Sequence, residues 1–145
     1  MTSHSLLTDF PSQTYDKLRY GDTDRQGHVN NAVFTTLFET GRIAVLEAGD
    51  RPLSEPGYNF VLARITVDYL AEITWPGTVE IGTAVKSVGN SSLTVVQALF
   101  QHGRCVATAE AVMVQVDPQA RRSVPLSPAL REAYNALRLK PAPAR

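Results

Sequence analysis

Arg19-Tyr20-Gly21-Asp22-Thr23-Asp24-Arg25-Gln26-Gly27-His28-Val29-Asn30-Asn31 is a polar, turn-rich run set directly before a long helical pattern from about Val33 to Ala48. It gathers two carboxylates, a histidine and side-chain amides at the entrance of a helix. The first N–H groups of a helix have no intrahelical acceptor and sit at the positive end of its dipole, so they favour developing negative charge. A carboxylate beside such an end is equipped for hydrolytic chemistry on a carbonyl. Asn30 fits the N-cap and Gly49 the C′ position where glycine ends a helix.

The helix itself predicts its surroundings. At about 100° per residue, Val33, Phe34, Leu37, Phe38, Gly41, Ala44, Val45 and Ala48 fall within an arc of roughly 140°, a core face. Ile43 and Leu46 fall on the other side near Glu39 and Arg42, leaving Thr36, Thr40 and Glu47 as the wet strip. A helix apolar on more than one side is covered on more than one side. The expectation is a sheet on one face and a pocket or partner subunit on the other.

Upstream, residues 1–12 read as a tail or loosely docked arm, because polar residues and Pro11 interrupt any period, and Tyr15 to Tyr20 reads as a short strand. Downstream, a loop from Arg51 to Gly57 gives way to a period of two. Val61 to Tyr69, Val79 to Val85, Leu93 to Phe100 and Cys105 to Val116 alternate as strands, punctuated by Pro76-Gly77, Gly89-Asn90 and His102-Gly103. Short turns between them predict an antiparallel meander. The small residues Cys105, Ala107, Ala109 and Ala111 would let the helix lie close against that strand. Ser127-Pro128 opens a short terminal helix with Leu130, Ala133, Tyr134 and Leu137 on one side, and residues 141–145 read as a loose end. The order predicts one α+β domain over residues 1–145, a five-stranded antiparallel sheet packed on one long helix with a small C-terminal helix.

Composition excludes several classes. A chain of 145 residues with 43% apolar residues supports one hydrophobic core. Fourteen basic and fourteen acidic residues balance to zero, with no long Lys/Arg run, so neither nucleic acid nor an anionic membrane surface is the expected partner. Cys105 is the only cysteine and cannot form an internal disulfide. The N-terminus lacks the pattern of a signal peptide, and no run of about 18 apolar residues is present, so a cytoplasmic location is expected.

Each candidate residue has a plainer reading. Asp22 and Asp24 are also good turn-formers that bond their own backbone. His28 could cap the helix, and Asn30 is a better cap than catalyst. Glu39 is placed to pair with Arg42 at i,i+3, and Cys105 to pack. A calcium loop starting at Asp22 fails, because the twelfth position is Val33 where a bidentate Glu is needed and no helix precedes. No Gly-x-Ser-x-Gly elbow, phosphate-binding loop or spaced Cys/His metal set is present, and no cofactor is expected.

Tyr20-Gly21-Asp22-Thr23-Asp24, then Gly27-His28-Val29-Asn30-Asn31, then Phe34, Glu39 and Arg42 together resemble the signature of hot-dog-fold acyl-CoA thioesterases related to 4-hydroxybenzoyl-CoA thioesterase. The resemblance runs from about residue 12 to 117. It implies the hot-dog fold and an acyl-CoA substrate, and it lays the catalytic carboxylate on Asp24. It also implies a homodimer or homotetramer whose sheets join edge to edge, with active sites between subunits. His28 and Asn30 replace the apolar and aromatic residues found there in 4-hydroxybenzoyl-CoA thioesterase itself, so the resemblance does not extend to an aromatic acyl group.

The expected activity is therefore thioester hydrolysis, with Asp24 as nucleophile or general base. His28 and Asn30 would orient it, and the N–H groups near Asn31 would form the oxyanion hole. Phe34 and Phe38 would line the acyl pocket, with Glu39 a second carboxylate able to face it. Arg64, Lys86, Ser91, Ser92 and Arg104 are candidates for the nucleotide end. A domain that binds acyl-CoA or an acyl chain without turning it over is the alternative. An acyl-CoA hydratase shares the fold but embeds its acid and histidine in a different local sequence.

Overall fold

Asn30 ends the loop and starts the helix. In the computed structural model, which describes residues 6–47 and 55–139, the Asn30 side-chain oxygen accepts the Ala32 N–H at 2.9 Å and α1 runs Asn31–Leu46. The expected Gly49 stop, the loop residues 51–54 and the chain ends 1–5 and 140–145 lie outside the described residues. The helix buries Phe34, Leu37, Phe38, Gly41 and Val45 as its period requires.

Arg42 is buried as well, although its angle puts it outside the apolar arc. The reason is a polar knot beneath the helix. Gln97, fully buried, donates to the Phe38 carbonyl at 2.9 Å and to Thr83 Oγ1 at 3.0 Å, while its Oε1 accepts from Arg42 Nη1 at 3.4 Å. Burial lowers the Arg42 pKa, opposed in part by the negative charge of Glu39. The expected Glu39–Arg42 ion pair is not among the close pairs of the described residues, so Glu39 acts on Arg42 only through its field. Gly41 is what lets the helix come this close. A Cβ there would lie 2.6 Å from Ile81 Cγ2, 2.7 Å from Gln97 Nε2 and 2.8 Å from Thr83 Oγ1.

The strands are β1 Ser12–Lys17, β2 Asn59–Tyr69, β3 Thr78–Val88, β4 Ser92–Gln101 and β5 Arg104–Asp117. They pair antiparallel in the order β1-β3-β4-β5-β2, and a two-residue β6, Arg122–Ser123, adds to the end of β5. This corrects two expectations. The meander holds only for β3 to β5, because β2 crosses to the far side and pairs with β5. The first strand runs Ser12–Lys17 rather than Tyr15 to Tyr20: its first residues pair with Thr83 and Gly82 of β3, and Tyr20–Asp22 winds into a 3-10 turn.

One sheet face carries the main core. Phe34, Leu37 and Phe38 of α1 share a cluster with Ile81, Leu99, Val106, Ala107 and Ala109, so two of the four small residues of β5 join the helix as expected, whereas Ala111 lies in the neighbouring cluster with Val45 and Cys105 packs on the opposite face. Farther along, Val45, Val85, Leu93, Val95 and Met113 are closed over by α2, Pro128–Asn135, through Leu130 and Tyr134. Ser127 Oγ caps α2 by accepting the Leu130 N–H at 3.2 Å.

On the opposite sheet face Ala84, Val96, Ala98 and Phe100 alternate with those core residues and are covered by Phe10. Residues 6–12 are therefore docked rather than loose. Leu7–Asp9 form a 3-10 turn, and Phe10 is only 2% exposed, edge-on to Phe100 at 6.3 Å. The space is provided by Gly82, where a Cβ would stand 2.6 Å from the Phe10 ring. Burying that ring contributes roughly 1.5–3 kcal/mol, enough to hold a segment whose sequence has no period.

Candidate active site

The loop between β1 and α1 is built by its own polar side chains. Asp22, buried, accepts the Arg19 N–H at 2.8 Å through Oδ2 and pairs with Arg19 Nη2 at 3.0 Å through Oδ1, while its carbonyl accepts the Asn30 N–H at 2.8 Å. Both its oxygens are therefore committed to the fold. Gly27 then turns the chain with φ 84°, a left-handed conformation suited to glycine. The loop closes as Asp24 N–H donates to the His28 carbonyl at 2.8 Å and Thr23 bridges Val29.

Asp24 is exposed and uses one oxygen locally. Its Oδ1 accepts the Gln26 N–H at 2.9 Å and the His28 N–H at 3.4 Å, the turn-forming role its sequence context allows. Oδ2 takes no hydrogen bond among the described residues. Next to it the helix end is prepared for an anion. Ala32 N–H is taken by the Asn30 side chain and Val33 N–H by the Asn30 carbonyl, which leaves Asn31 N–H as the first helical amide without an acceptor among the described residues. That amide stands at the positive end of α1.

The far wall comes from the chain that follows β2. Val29 N–H donates to the Ile73 carbonyl at 2.9 Å, His28 bridges Thr74, and His28 Nε2 lies 2.9 Å from Glu72 Oε2. Tyr69 Oη donates to the Asn31 carbonyl at 3.4 Å and its ring stands edge-on to Phe34 at 5.1 Å. These contacts enclose an open cleft of about 320 Å³ lined by Asp24, His28, Asn31, Phe34, Leu70 and Glu72 among others. The arrangement brings a carboxylate, an imidazole and a helical N–H without an acceptor among the described residues to one cleft, whose mainly polar lining also includes Phe34, Val29 and Leu70.

Of the residues singled out in the sequence, Asp24, His28, Asn31 and Phe34 meet here, with Asn30 supporting from the cap. The others lie elsewhere within one chain. Phe38 is fully buried in the core, and Glu39 is exposed on α1 outside the cleft. Arg64 lines a separate hollow of about 300 Å³ on β2 and β5, and Lys86 pairs with Glu110 at 3.0 Å. Ser91 and Ser92 sit at the β3–β4 turn, where their carbonyls accept Gln115 N–H and Gly89 N–H. Arg104 lines a hollow of about 550 Å³ that shares Ala71 and Glu72 with the Asp24 cleft. Burial raises the Cys105 thiol pKa, partly offset by its bond to the Ala107 carbonyl, which fits a packing role.

Sequence reasoning does not reach Tyr69, Leu70 or Glu72 as site residues. Alternation marks Tyr69 as a strand residue, and only the crossing of β2 to the edge beside β5 brings the end of that strand to the mouth of the helix. No sequence period carries that information.

A single long helix wrapped by an antiparallel sheet, with a carboxylate loop at the helix N-terminus, defines the hot-dog class of thioesterase-like proteins. Residues 18–134 match the model of the thioesterase-like superfamily, and the chain belongs to that family. It is 28% identical over 119 residues to the acyl-CoA thioester hydrolase YbgC of Escherichia coli O6:H1, covering 79% of this chain and 86% of the relative. Among solved structures it is similar to a thioesterase from Thermus thermophilus complexed with coenzyme A and Zn, at 36% identity and TM-score 0.77, covering 89% of this chain and 95% of that one. It is also similar to the PA5185 protein of Pseudomonas aeruginosa PAO1, at 30% identity and TM-score 0.81, covering 92% and 96%. The protein is thus an enzyme of the thioesterase class. No helix among the described residues is long and apolar enough to cross a membrane.

Proposed function

We propose that the protein hydrolyses acyl-CoA thioesters to a carboxylic acid and CoA, with Asp24 as the catalytic carboxylate. The observation that carries this reading is the meeting in one cleft of Asp24, whose Oδ2 takes no hydrogen bond among the described residues, His28, and Asn31, whose N–H has no acceptor among them, beside Phe34 and Leu70. The relatives named as an acyl-CoA thioester hydrolase and as a thioesterase holding coenzyme A support the substrate class.

The thioester carbonyl accepts the Asn31 N–H, and the helix dipole stabilises the oxyanion as it forms. Asp24 Oδ2 either attacks the carbonyl carbon or takes a proton from a water that does. Thiolate then leaves as the C–S bond breaks, and because it is a good leaving group no strong general acid is required. A single turnover in isotope-labelled water tests the nucleophile route: label on the Asp24 side chain requires a mixed anhydride that water opens at the Asp24 carbonyl. Arg104, in the hollow that adjoins this cleft through Ala71 and Glu72, is the cation best placed for the CoA phosphates.

The working unit is a homodimer or homotetramer. Among the described residues β2 has a free edge, and Val61 and Leu62 near one end and Tyr69 and the following Leu70 at the other are exposed apolar side chains. A second β2 running antiparallel across that edge would cover them and roof the cleft that Tyr69 and Leu70 line. The direct test is thiol release from a panel of acyl-CoA chain lengths. The reading expects turnover well above background for at least one chain length. Tight binding of every chain length without release would instead establish a non-catalytic acyl-CoA binder.

A further inference from the structure

Resting on that reading, we infer that Glu72 is the positioning residue for His28, fixing the imidazole with its proton on Nε2 and its Nδ1 lone pair left for water or substrate. The contact is direct, at 2.9 Å between His28 Nε2 and Glu72 Oε2. An ionised carboxylate only accepts hydrogen bonds, so the nitrogen facing it must be the one that carries hydrogen. In the neutral ring the other nitrogen is then the acceptor. Nδ1 has no partner among the described residues, and His28 lines the cleft together with Asp24.

Glu72 is an exposed side chain, and an exposed pair is weak unless its backbone is held. Here it is held. Gln101, 5% exposed at the end of β4, clamps Thr74 from both sides, its Oε1 accepting the Thr74 N–H at 3.0 Å and its Nε2 donating to the Thr74 carbonyl at 2.8 Å. Val29 N–H to the Ile73 carbonyl and the His28–Thr74 bridge then tie this clamped segment to the catalytic loop. The 72–74 segment and the His28 backbone are therefore joined by hydrogen bonds to each other and to β4. The consequence for the reaction is directional: His28 receives a hydrogen bond in the cleft, which suits holding a water whose proton passes to Asp24.

The test combines His28 imidazole ¹⁵N shifts in ligand-free protein with steady-state kinetics on the best acyl-CoA. In the wild type the shifts report the Nε2–H tautomer. In Glu72→Ala they move toward a mixture of tautomers, and kcat falls on the order of tenfold with little change in KM, the low end of the cost of losing an orienting partner. Glu72→Gln retains an accepting oxygen and restores most of both. Unchanged shifts in Glu72→Ala, or an unchanged kcat, overturns the assignment. A wild type that hydrolyses no acyl-CoA fails the activity reading before Glu72 is varied, and the shifts still decide whether Glu72 holds His28.

Discussion

Asp22 and Asp24 stand two residues apart with the same side chain, and the loop uses them differently. Asp22 is buried with both oxygens bound to Arg19, whereas Asp24 is exposed and commits Oδ1 alone. Asp22→Asn removes the charge facing Arg19 and one good acceptor, a loss of about 1–3 kcal/mol. A thermal melt should show a drop of several degrees, since each kcal/mol shifts Tm by roughly 2–8 °C, while kcat per folded molecule stays close to wild type. At this scale the site is legible where chemistry is local. A loop carboxylate, an N-cap and a helix end are neighbours in sequence and stay neighbours in space. Glu72 is not legible, because it reaches His28 only after β2 has crossed the sheet.

At the scale of elements, α1 is positioned by what it lacks at Gly41. Alanine there gains about 1 kcal/mol of helix propensity, but its methyl would meet Ile81, Gln97 and Thr83 at 2.6 to 2.8 Å. Overpacking of this kind costs about 1–3 kcal/mol, and the β-branched Ile81 has little room to turn aside. Gly41→Ala should therefore lower the denaturation midpoint despite its better propensity; a raised midpoint would mean that the helix sits less tightly on the sheet. Periodicity locates α1 to within two residues at each end and all four later strands, because 3.6 and 2 are local properties of the chain. It carries no information on which strands are neighbours, so a reading from turns alone sets β2 beside β3. Nor does it foresee buried Arg42, whose place depends on Gln97 rising from β4 to meet it, or Phe10, whose place depends on the gap at Gly82.

For the whole molecule, β2 carries a pattern that a two-fold partner can read. Arg64 and Asp68 lie two residues either side of Thr66 on the same sheet face, as their partners Val112 and Thr108 on β5 require. An antiparallel pairing centred on Thr66 sets each Arg64 against the partner copy's Asp68. Arg64→Asp should weaken the dimer in analytical ultracentrifugation, and Arg64→Asp with Asp68→Arg should restore it; a monomeric wild type at micromolar concentration would remove the shared cleft. The central claim is narrower than assembly and rests on a single oxygen. Asp24→Asn keeps Oδ1 and with it the turn to Gln26 and His28, and it replaces only Oδ2, the oxygen that takes no hydrogen bond among the described residues. The measurement is kcat of Asp24→Asn on the best acyl-CoA, beside its melting temperature and its affinity for the same ligand. The account predicts a fall on the order of 10²–10⁴-fold in kcat with folding and binding retained. Near-normal turnover in that variant would contradict it.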